Sequence, residues 1–547
     1  MEDNRAALER RYPQWPGWTL SGALDAVAGE HPERPFVLTD ERTWTYAELA
    51  EWSRRLARGL VAAGVKPGEN VALLLPNGAD LVALFFAIAR AGAVAVPINV
   101  LLRERELGYV LRQSDSVALV ACEQFRDLDH AAHLDALVPG WREGAGSGEL
   151  RFVVTTRSLA DLERDPEPAL DDELARRAAA AGADDDATIF YTSGTTGQPK
   201  GVVLTHDMEL RSAYGSALTR AFEDGRRILF ALPLNHVFAY VEGLLASLFV
   251  AGAAIVQARF DPVETLRAIA RHRAAEALFV PTMSLAVVDA ARAGEHDTSS
   301  LHSVMSAAAP APARLWDDLV EQLGVEQLVT AYGMTETAAA TTFTMPGDSM
   351  ERLVGTVGRP KLGGIAGELV EYKLMDPFSG EDVPAGGEGE LAARGAIVTR
   401  GYYRKPEETA AVLDAGGWLL SGDLGRIDPE GYLRLTGRSK DLYKCGGEMV
   451  MPNEVEGFLS SHPDVAQAYV VGVADERMGE IGHAYVVSAE GRSPSAEALI
   501  EHCRGGLARF KVPARVIFVS AAELPLTASG KVQKFKLAEL SLVPRGR

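Results

Sequence analysis

Between residues 40 and 260, short β-branched or leucine-rich runs alternate with longer stretches of helical pattern. VALLL (71–75) is followed by an alanine-rich helical stretch around Leu81–Arg90 and then by AVAVP (93–97). Short apolar runs of this kind suit buried strands, and the helices between them supply the cover. The alternation predicts an α/β domain with largely parallel sheets. Residues 141–187 break the pattern: they are acidic and rich in Ala, Gly and Pro, and predict a surface loop with one exposed helix. The stretch ends at TIFYT (188–192), a buried strand, and GVVLT (201–205) reads as another. From about 350 to 440, glycine-rich turns separate GELVEYKLMD, GELAARGA and GYLRLTG, which predicts a small β-rich subdomain. Beyond 441, the strands QAYVVGV (467–473) and HAYVVS (483–488) mix with a helix over Ala496–Gly505. A compact second domain of roughly 100 residues follows from that pattern. No internal repeat of fixed period is present.

At 547 residues the chain exceeds what one hydrophobic core organises, so at least two domains are expected. Apolar residues make up 47% and charged residues 24%, as in ordinary soluble proteins. The formal charge of -20 argues against a nucleic-acid partner, although a few cations in one cleft can still bind a nucleotide. Cys122, Cys445 and Cys503 form no pair motif, which suits a reducing compartment; a cytoplasmic location is expected. The first residues carry no apolar core of a signal peptide. The apolar stretch Val71–Leu102 is broken by Pro76, Asp80, Arg90 and Pro97, and Ile228–Val256 by Pro233, His236 and Glu242. Neither has the roughly 18 uninterrupted apolar residues of a membrane span. Cys122, His130 and His133 fit no usual zinc spacing, and neither GxGxxG nor GxSxG occurs as a dinucleotide fingerprint or nucleophile elbow.

YTSGTTGQPKG (191–201) carries the strongest chemical signal. It joins two predicted strands and combines hydroxyl residues, glycines and Lys200. Glycines let the backbone approach closely, N–H and O–H groups donate to phosphate oxygens, and the lysine adds charge. It is not a Walker loop, because no Gly-Lys-Ser/Thr follows and a strand stands where the helix would begin. A generic Gly/Ser loop is most often a surface hairpin; this eleven-residue string is far more specific.

The string resembles the phosphate-loop signature of the adenylate-forming superfamily, which includes acyl-CoA synthetases, nonribosomal peptide adenylation domains and beetle luciferases. Further signatures follow in the family's order, and the resemblance spans roughly residues 20–540; it is greatest to an acyl-CoA ligase. Its implied fold is α/β (α+β overall). A large N-terminal domain (1–437) would hold two helix-covered, mainly parallel sheets and a small β-barrel subdomain, followed by a small mobile α+β C-terminal lid (438–547).

The resemblance implies a role for each motif. Thr192, Ser193, Gly194, Thr195, Thr196, Gly197 and Lys200 would wrap the ATP phosphates. In PLNHVFAY (233–240), His236 would lie beside and gate the acyl pocket, although a histidine in an apolar run is by itself more often a satisfied core residue. Asn235 stands where an aromatic residue is common. SAAAPAPARL (306–315) places Ala308, Ala309 and Pro310 near adenine and the acyl chain, with alanines where glycines are usual. In YGMTE (332–336), Tyr332 would stack on adenine, with Gly333 and Met334 beside it. Thr335 would contact the α-phosphate, and Glu336 would help bind Mg²⁺, which prefers hard oxygen ligands. In SGD (421–423), Asp423 would hold both ribose hydroxyls. In GRSKDLYKCGGEMVMPNEVE (437–456), Arg438 would contact the ribose or phosphate region and Lys440 would be the hinge. Gly446 and Gly447 would line the pantetheine channel. Cys445 lacks the surroundings of an activated thiolate. In PLTASGKVQK (525–534), Lys531 would reach the reacting carboxylate and α-phosphate.

The implied reaction has two steps: attack of a carboxylate on ATP to give an acyl-adenylate and pyrophosphate, then transfer of the acyl group to coenzyme A. ATP, Mg²⁺, coenzyme A and a small fatty or aryl acid are the expected cofactors and substrates. A carrier-protein thiol, or nitrite activation for diazotisation of an aryl amine, are the alternative fates of an adenylate on this scaffold. A non-enzymatic nucleotide-binding scaffold is disfavoured, because a binding module needs neither Lys531 nor Glu336. Glu242, inside VFAYVEGLLASLF, is expected to be a hydrogen-bonded structural carboxylate; the sharper possibility is recognition of a polar or amino-bearing acid.

Overall fold

The computed structural model describes residues 1–192, 198–384, 386–526 and 532–542. The chain divides into two compact units, one of Met1–Glu371 with Arg394–Gly417 and one of Tyr372–Ala393 with Trp418–Arg547.

The first unit is built on two sheets. One runs in the order Gln327–Val329, Ser303–Ser306, Glu276–Phe279, Arg227–Phe230, Ala253–Val256, Pro35–Leu38, Thr43–Thr45. All its pairs are parallel except the last. The other runs in the order Lys200–Thr205, Asp186–Thr192, Val94–Pro97, Asn70–Leu74, Ser116–Ala121, Phe152–Thr155, with only its first pair antiparallel. VALLL and AVAVP are therefore neighbouring parallel strands, and helix Ala79–Arg90 between them is buried over nearly its whole length. Burial on every face explains why these strands show no polar alternation.

The stretch 141–187 holds the exposed helix Pro168–Ala180, whose one buried residue is Leu174. It also holds a strand, Phe152–Thr155, that closes the edge of the second sheet beside Ser116–Ala121. An edge strand is half-covered, so its apolar run is too short to stand out from the acidic residues around it.

In the second unit a four-stranded sheet comprises Glu371–Met375, Gly389–Arg394, Leu419–Ile427 and Leu433–Arg438. A further sheet pairs Val465–Asp475 with Gly479–Ser488, and helices Pro452–Ser460 and Ala496–Gly506 pack on its core through Val455, Leu459, Leu499 and Cys503. No helix among the described residues is long and apolar enough to cross a membrane.

Candidate functional site

In the first sheet the strands Gln327–Val329, Ser303–Ser306 and Arg227–Phe230 all point the same way, through Glu276–Phe279. The segments that leave their C-terminal ends are YGMTE, Ala307–Pro310 and the loop carrying His236. Parallel topology thus gathers three sequence motifs at one sheet edge, the edge where open α/β folds bind ligands.

Asn77 fixes the His236 loop. Its buried amide donates to the carbonyls of Leu232 and Gln257 at 2.9 and 3.1 Å, and its Oδ1 accepts from the Leu234 N–H at 2.8 Å. His236 itself is exposed, so it is not a core histidine. Its Nδ1 accepts from the Phe238 N–H at 3.2 Å, which places the proton of the neutral ring on Nε2. The following residues, Phe238–Leu245, form a buried π-helix, a form that concentrates at functional sites.

Ala308, two residues beyond strand Ser303–Ser306, has φ of 71°. Left-handed backbone costs an L-residue roughly 1–2 kcal/mol, so alanine here carries strain that glycine would avoid. Ala308, Ala309 and Pro310 are all exposed.

Tyr332, Gly333 and Met334 lie on strand Ala331–Met334, and Thr335 and Glu336 open a short 3₁₀ turn, each only 8% exposed. Gly333 is dictated by space: a Cβ there would lie 1.9 Å from the Ala339 carbonyl oxygen. Tyr402, which the sequence motifs do not flag, connects Glu336 to the hairpin of Asp186–Thr192 and Lys200–Thr205. Its hydroxyl donates to Glu336 Oε1 at 2.8 Å, and Lys200 Nζ sits 4.8 Å from its ring centroid. Burial beside Glu336 pushes the Tyr402 hydroxyl far above its ordinary pKa, so it stays a donor. The segment around it is held by backbone bonds from Tyr403 N–H to Gly201 and from Thr399 N–H to Glu336. The aromatic pair in GYYRKPEET is the sequence signal that could have found it.

Thr192 and Lys200 pair across the hairpin of Asp186–Thr192 and Lys200–Thr205. Ser193, Gly194, Thr195, Thr196 and Gly197 lie outside the described residues.

In the second unit Asp423 and Arg438 are cross-strand partners, and Arg438 Nε lies 3.0 Å from Asp423 Oδ1. Lys440 is exposed in the 3₁₀ turn Ser439–Asp441. Gly446 and Gly447 join strands Tyr443–Cys445 and Glu448–Val450 with φ of 62° and 88°. Two successive left-handed residues are the mark of a tight type I′ hairpin, where a side chain is strained whatever the space. Cys445 is buried and its thiol is pushed up by burial, unlike an activated nucleophile. Lys531 lies outside the described residues; on either side of its loop, Leu526 and Val532 pair in an antiparallel bridge.

Glu242 is wholly buried. Its Oε1 accepts from the Ala340 N–H at 3.1 Å and its Oε2 lies 3.3 Å from Arg220 Nη2, the partners of a structural carboxylate. Burial pushes a second carboxyl, Glu209, up to about 8, against the donated bonds of Thr188 and Tyr240. The folded state therefore keeps this proton while the unfolded chain loses it, and stability falls as pH rises from about 4.5 to 8. We expect Glu209→Gln to leave stability near native at pH 4.5 and to raise it by on the order of 5 kcal/mol at pH 8.5. Urea unfolding at the two pH values checks this; an equal change at both would contradict it.

Comparison with known proteins identifies the family. The family profile described as AMP-binding enzyme matches residues 24–403, and that of the AMP-binding enzyme C-terminal domain matches 454–531. The chain belongs to the AMP-binding enzyme family. It is 34% identical to the putative acyl-CoA synthetase YngI of Bacillus subtilis, over 96% of this chain and 97% of that one. To a feruloyl-CoA synthase of Amycolatopsis it is 36% identical, over 90% and 92%. Among solved structures, ATP-bound MatB from Rhodopseudomonas palustris superposes with a TM-score of 0.80 at 29% identity, covering 95% of this chain and 98% of that one. The family is that of adenylate-forming enzymes, and its relatives here are acyl-CoA ligases.

Proposed function

We propose that this AMP-forming acid–CoA ligase activates a fatty or aryl acid of moderate size as its acyl-adenylate and transfers the acyl group to coenzyme A. ATP and coenzyme A are its co-substrates. The observation that carries the site assignment is Tyr402, which ties the Glu336 carboxylate to the Lys200 end of the phosphate-loop hairpin.

In the first half-reaction the substrate carboxylate oxygen attacks the α-phosphorus of ATP in line, and pyrophosphate leaves. No covalent enzyme intermediate is needed, so the work is positioning and neutralising charge. Lys200 and the 193–197 loop hold the β- and γ-phosphates, Thr335 donates to the α-phosphate, and Tyr332 stacks on adenine. His236 borders the acid, Asp423 accepts from the ribose hydroxyls, and Arg438, its ion-pair partner, turns to the nucleotide. The described residues contain no group of three or more His, Cys, Asp or Glu that could hold a metal. A single near-buried carboxylate at Glu336 fits Mg²⁺, which binds through one or two carboxylates plus substrate phosphates. When bound, the ion neutralises phosphate charge. Tyr402 keeps the carboxylate aimed, and we expect Tyr402→Phe to lower kcat for pyrophosphate release about 10–100-fold with acid KM unchanged, the loss of one hydrogen bond to a charged group. Steady-state kinetics check it; a raised acid KM with native kcat would contradict it.

In the second half-reaction the lid, residues 438–547, rotates about Lys440. Lys531 withdraws and the Gly446–Gly447 turn comes to the site, where the thiol attacks the mixed anhydride and AMP leaves. The Gly446–Gly447 turn, where any side chain would be strained, suits the close passage of a thiol-bearing arm.

Pyrophosphate release across short to long fatty acids, benzoates, cinnamates and nitrite with an aryl amine, with and without coenzyme A, tests the assignment. Turnover with a carboxylic acid that is sustained only with coenzyme A is expected. Release indifferent to coenzyme A, or confined to nitrite with the amine, would overturn the thioester step.

A further inference from the structure

Glu242, Lys361 and Ser212 are buried, take no part in the proposed chemistry, and converge on one strained turn. Directly after Glu336 and Thr337, Ala338 and Ala339 adopt φ of 48° and 82°. Left-handed conformation is rare for a single non-glycine residue, and two in succession persist only where the surroundings over-determine them. Here three side chains do so. Ser212 Oγ donates to the Ala338 carbonyl. Thr337 Oγ1 shares its one proton between the Met334 and Ala339 carbonyls, at 3.1 and 3.2 Å. Glu242 Oε1 accepts from the Ala340 N–H at 3.1 Å.

Two of these holds, Ser212 and Glu242, are themselves anchored. Lys361 Nζ donates to the Ser212 hydroxyl and carbonyl oxygens at 2.5 and 3.0 Å, which polarises the bond that Ser212 makes. Arg220 donates to the Glu242 carbonyl and faces its carboxylate, while its other arm pairs with Glu276 Oε1 at 2.6 Å. Arg226 completes the chain on Glu276 Oε2 at 2.9 Å. A charged network of this kind adds little net stability over apolar packing, but it fixes one arrangement.

We propose that Glu242 and Ser212 are positioning residues that hold the Ala338–Ala339 turn, and through it present Thr335 and Glu336 to the nucleotide phosphates. The proposal rests on the assignment of Glu336 made above. Glu242 also lies on the π-helix that begins two residues after His236, so one carboxylate joins the acid-binding segment to the phosphate-binding turn. Displacing a group that must be in near-attack geometry lowers kcat and leaves ground-state binding of the acid intact.

The test is a rescue. Glu242→Gln keeps the volume but removes the charge, which weakens both the bond accepted from the Ala340 N–H and the pairing with Arg220 that aims it. Its kcat for acid-dependent pyrophosphate release is expected to fall about tenfold or more, with acid KM within about twofold of native. Adding Ala339→Gly, which takes positive φ without cost, is expected to recover at least about fivefold of that loss, whereas the same change in the native chain gives no gain. Should Glu242→Gln fail to fold, Ser212→Ala with Ala338→Gly repeats the design on the other hold. A raised acid KM at native kcat would place Glu242 in the acid pocket instead. A lowered melting temperature with native kcat per folded molecule, or a loss that glycine does not rescue, would make the network merely structural. If the native enzyme released no pyrophosphate with any acid, the failure would lie in the site assignment and not in the turn.

Discussion

Lys531→Ala is expected to lower the rate of acyl-adenylate formation about 10²–10³-fold, the scale of one lost electrostatic contact to a developing oxyanion. Thioester formation from supplied acyl-adenylate and coenzyme A should stay near native. The asymmetry follows from the chemistry. Only in the first half-reaction must an anionic carboxylate approach an anionic α-phosphate, whose oxygens carry the charge of the crowded transition state, and an ammonium is the group that offsets it. The side chain follows Gly530 and precedes Val532, whose bridge to Leu526 and the Gln533 N–H to Pro525 bond at 2.7 Å pin the flanking chain. Lys534, three residues on, is anchored by Glu456 Oε1 at 2.8 Å and faces Asp441 at 3.4 Å, next to Lys440. The described chain on both sides is therefore held by other residues, and the alanine variant should fold. ATP–pyrophosphate exchange reads the first half-reaction, and thioester release from synthetic acyl-adenylate reads the second. Equal losses in both would contradict domain alternation.

The second large effect is expected at Glu336. Glu336→Gln preserves size and an acceptor for the Tyr402 hydroxyl but removes the charge that a divalent cation needs. A loss of about 10²–10³-fold in kcat is expected, together with a shift of the Mg²⁺ dependence to higher concentration. The shift in Mg²⁺ dependence is the discriminating reading. A structural role for Glu336, which is nearly buried and whose carbonyl accepts from Thr399, would lower stability and leave the Mg²⁺ midpoint where it was.

Much of the fold is legible in the chain because burial on both faces writes itself as unbroken apolar runs. Asn70–Leu74, Val94–Pro97 and Asp186–Thr192 are all where those runs lie. The strand Phe152–Thr155 is not, because a half-covered edge in an acidic stretch carries too little apolar contrast. Motif strings likewise point to Tyr332, Thr335 and Glu336, whose types suit phosphate and metal. Tyr402 escapes them because its role arises from contacts with residues 66 and about 200 positions away, Glu336 and Lys200. Asn77 escapes for the same reason, bonding 155 to 180 residues along the chain. The left-handed Ala338 and Ala339 are hidden altogether, since alanine gives no hint of positive φ. Glu242 shows the reverse: an acid inside an apolar run signals something buried and paired, and the partners Arg220 and Ala340 settle what.

One single-turnover experiment addresses the two-step chemistry most directly. Enzyme in excess over ATP, with Mg²⁺ and the preferred acid, is quenched at intervals, and the isolated complex is then chased with coenzyme A or with buffer. We predict enzyme-bound acyl-adenylate with one pyrophosphate per ATP, followed on the chase by acyl-CoA and AMP in equal amounts, and slow loss of the adenylate in buffer alone. Formation of ADP in place of pyrophosphate, or an acyl-adenylate that coenzyme A does not discharge, would contradict it.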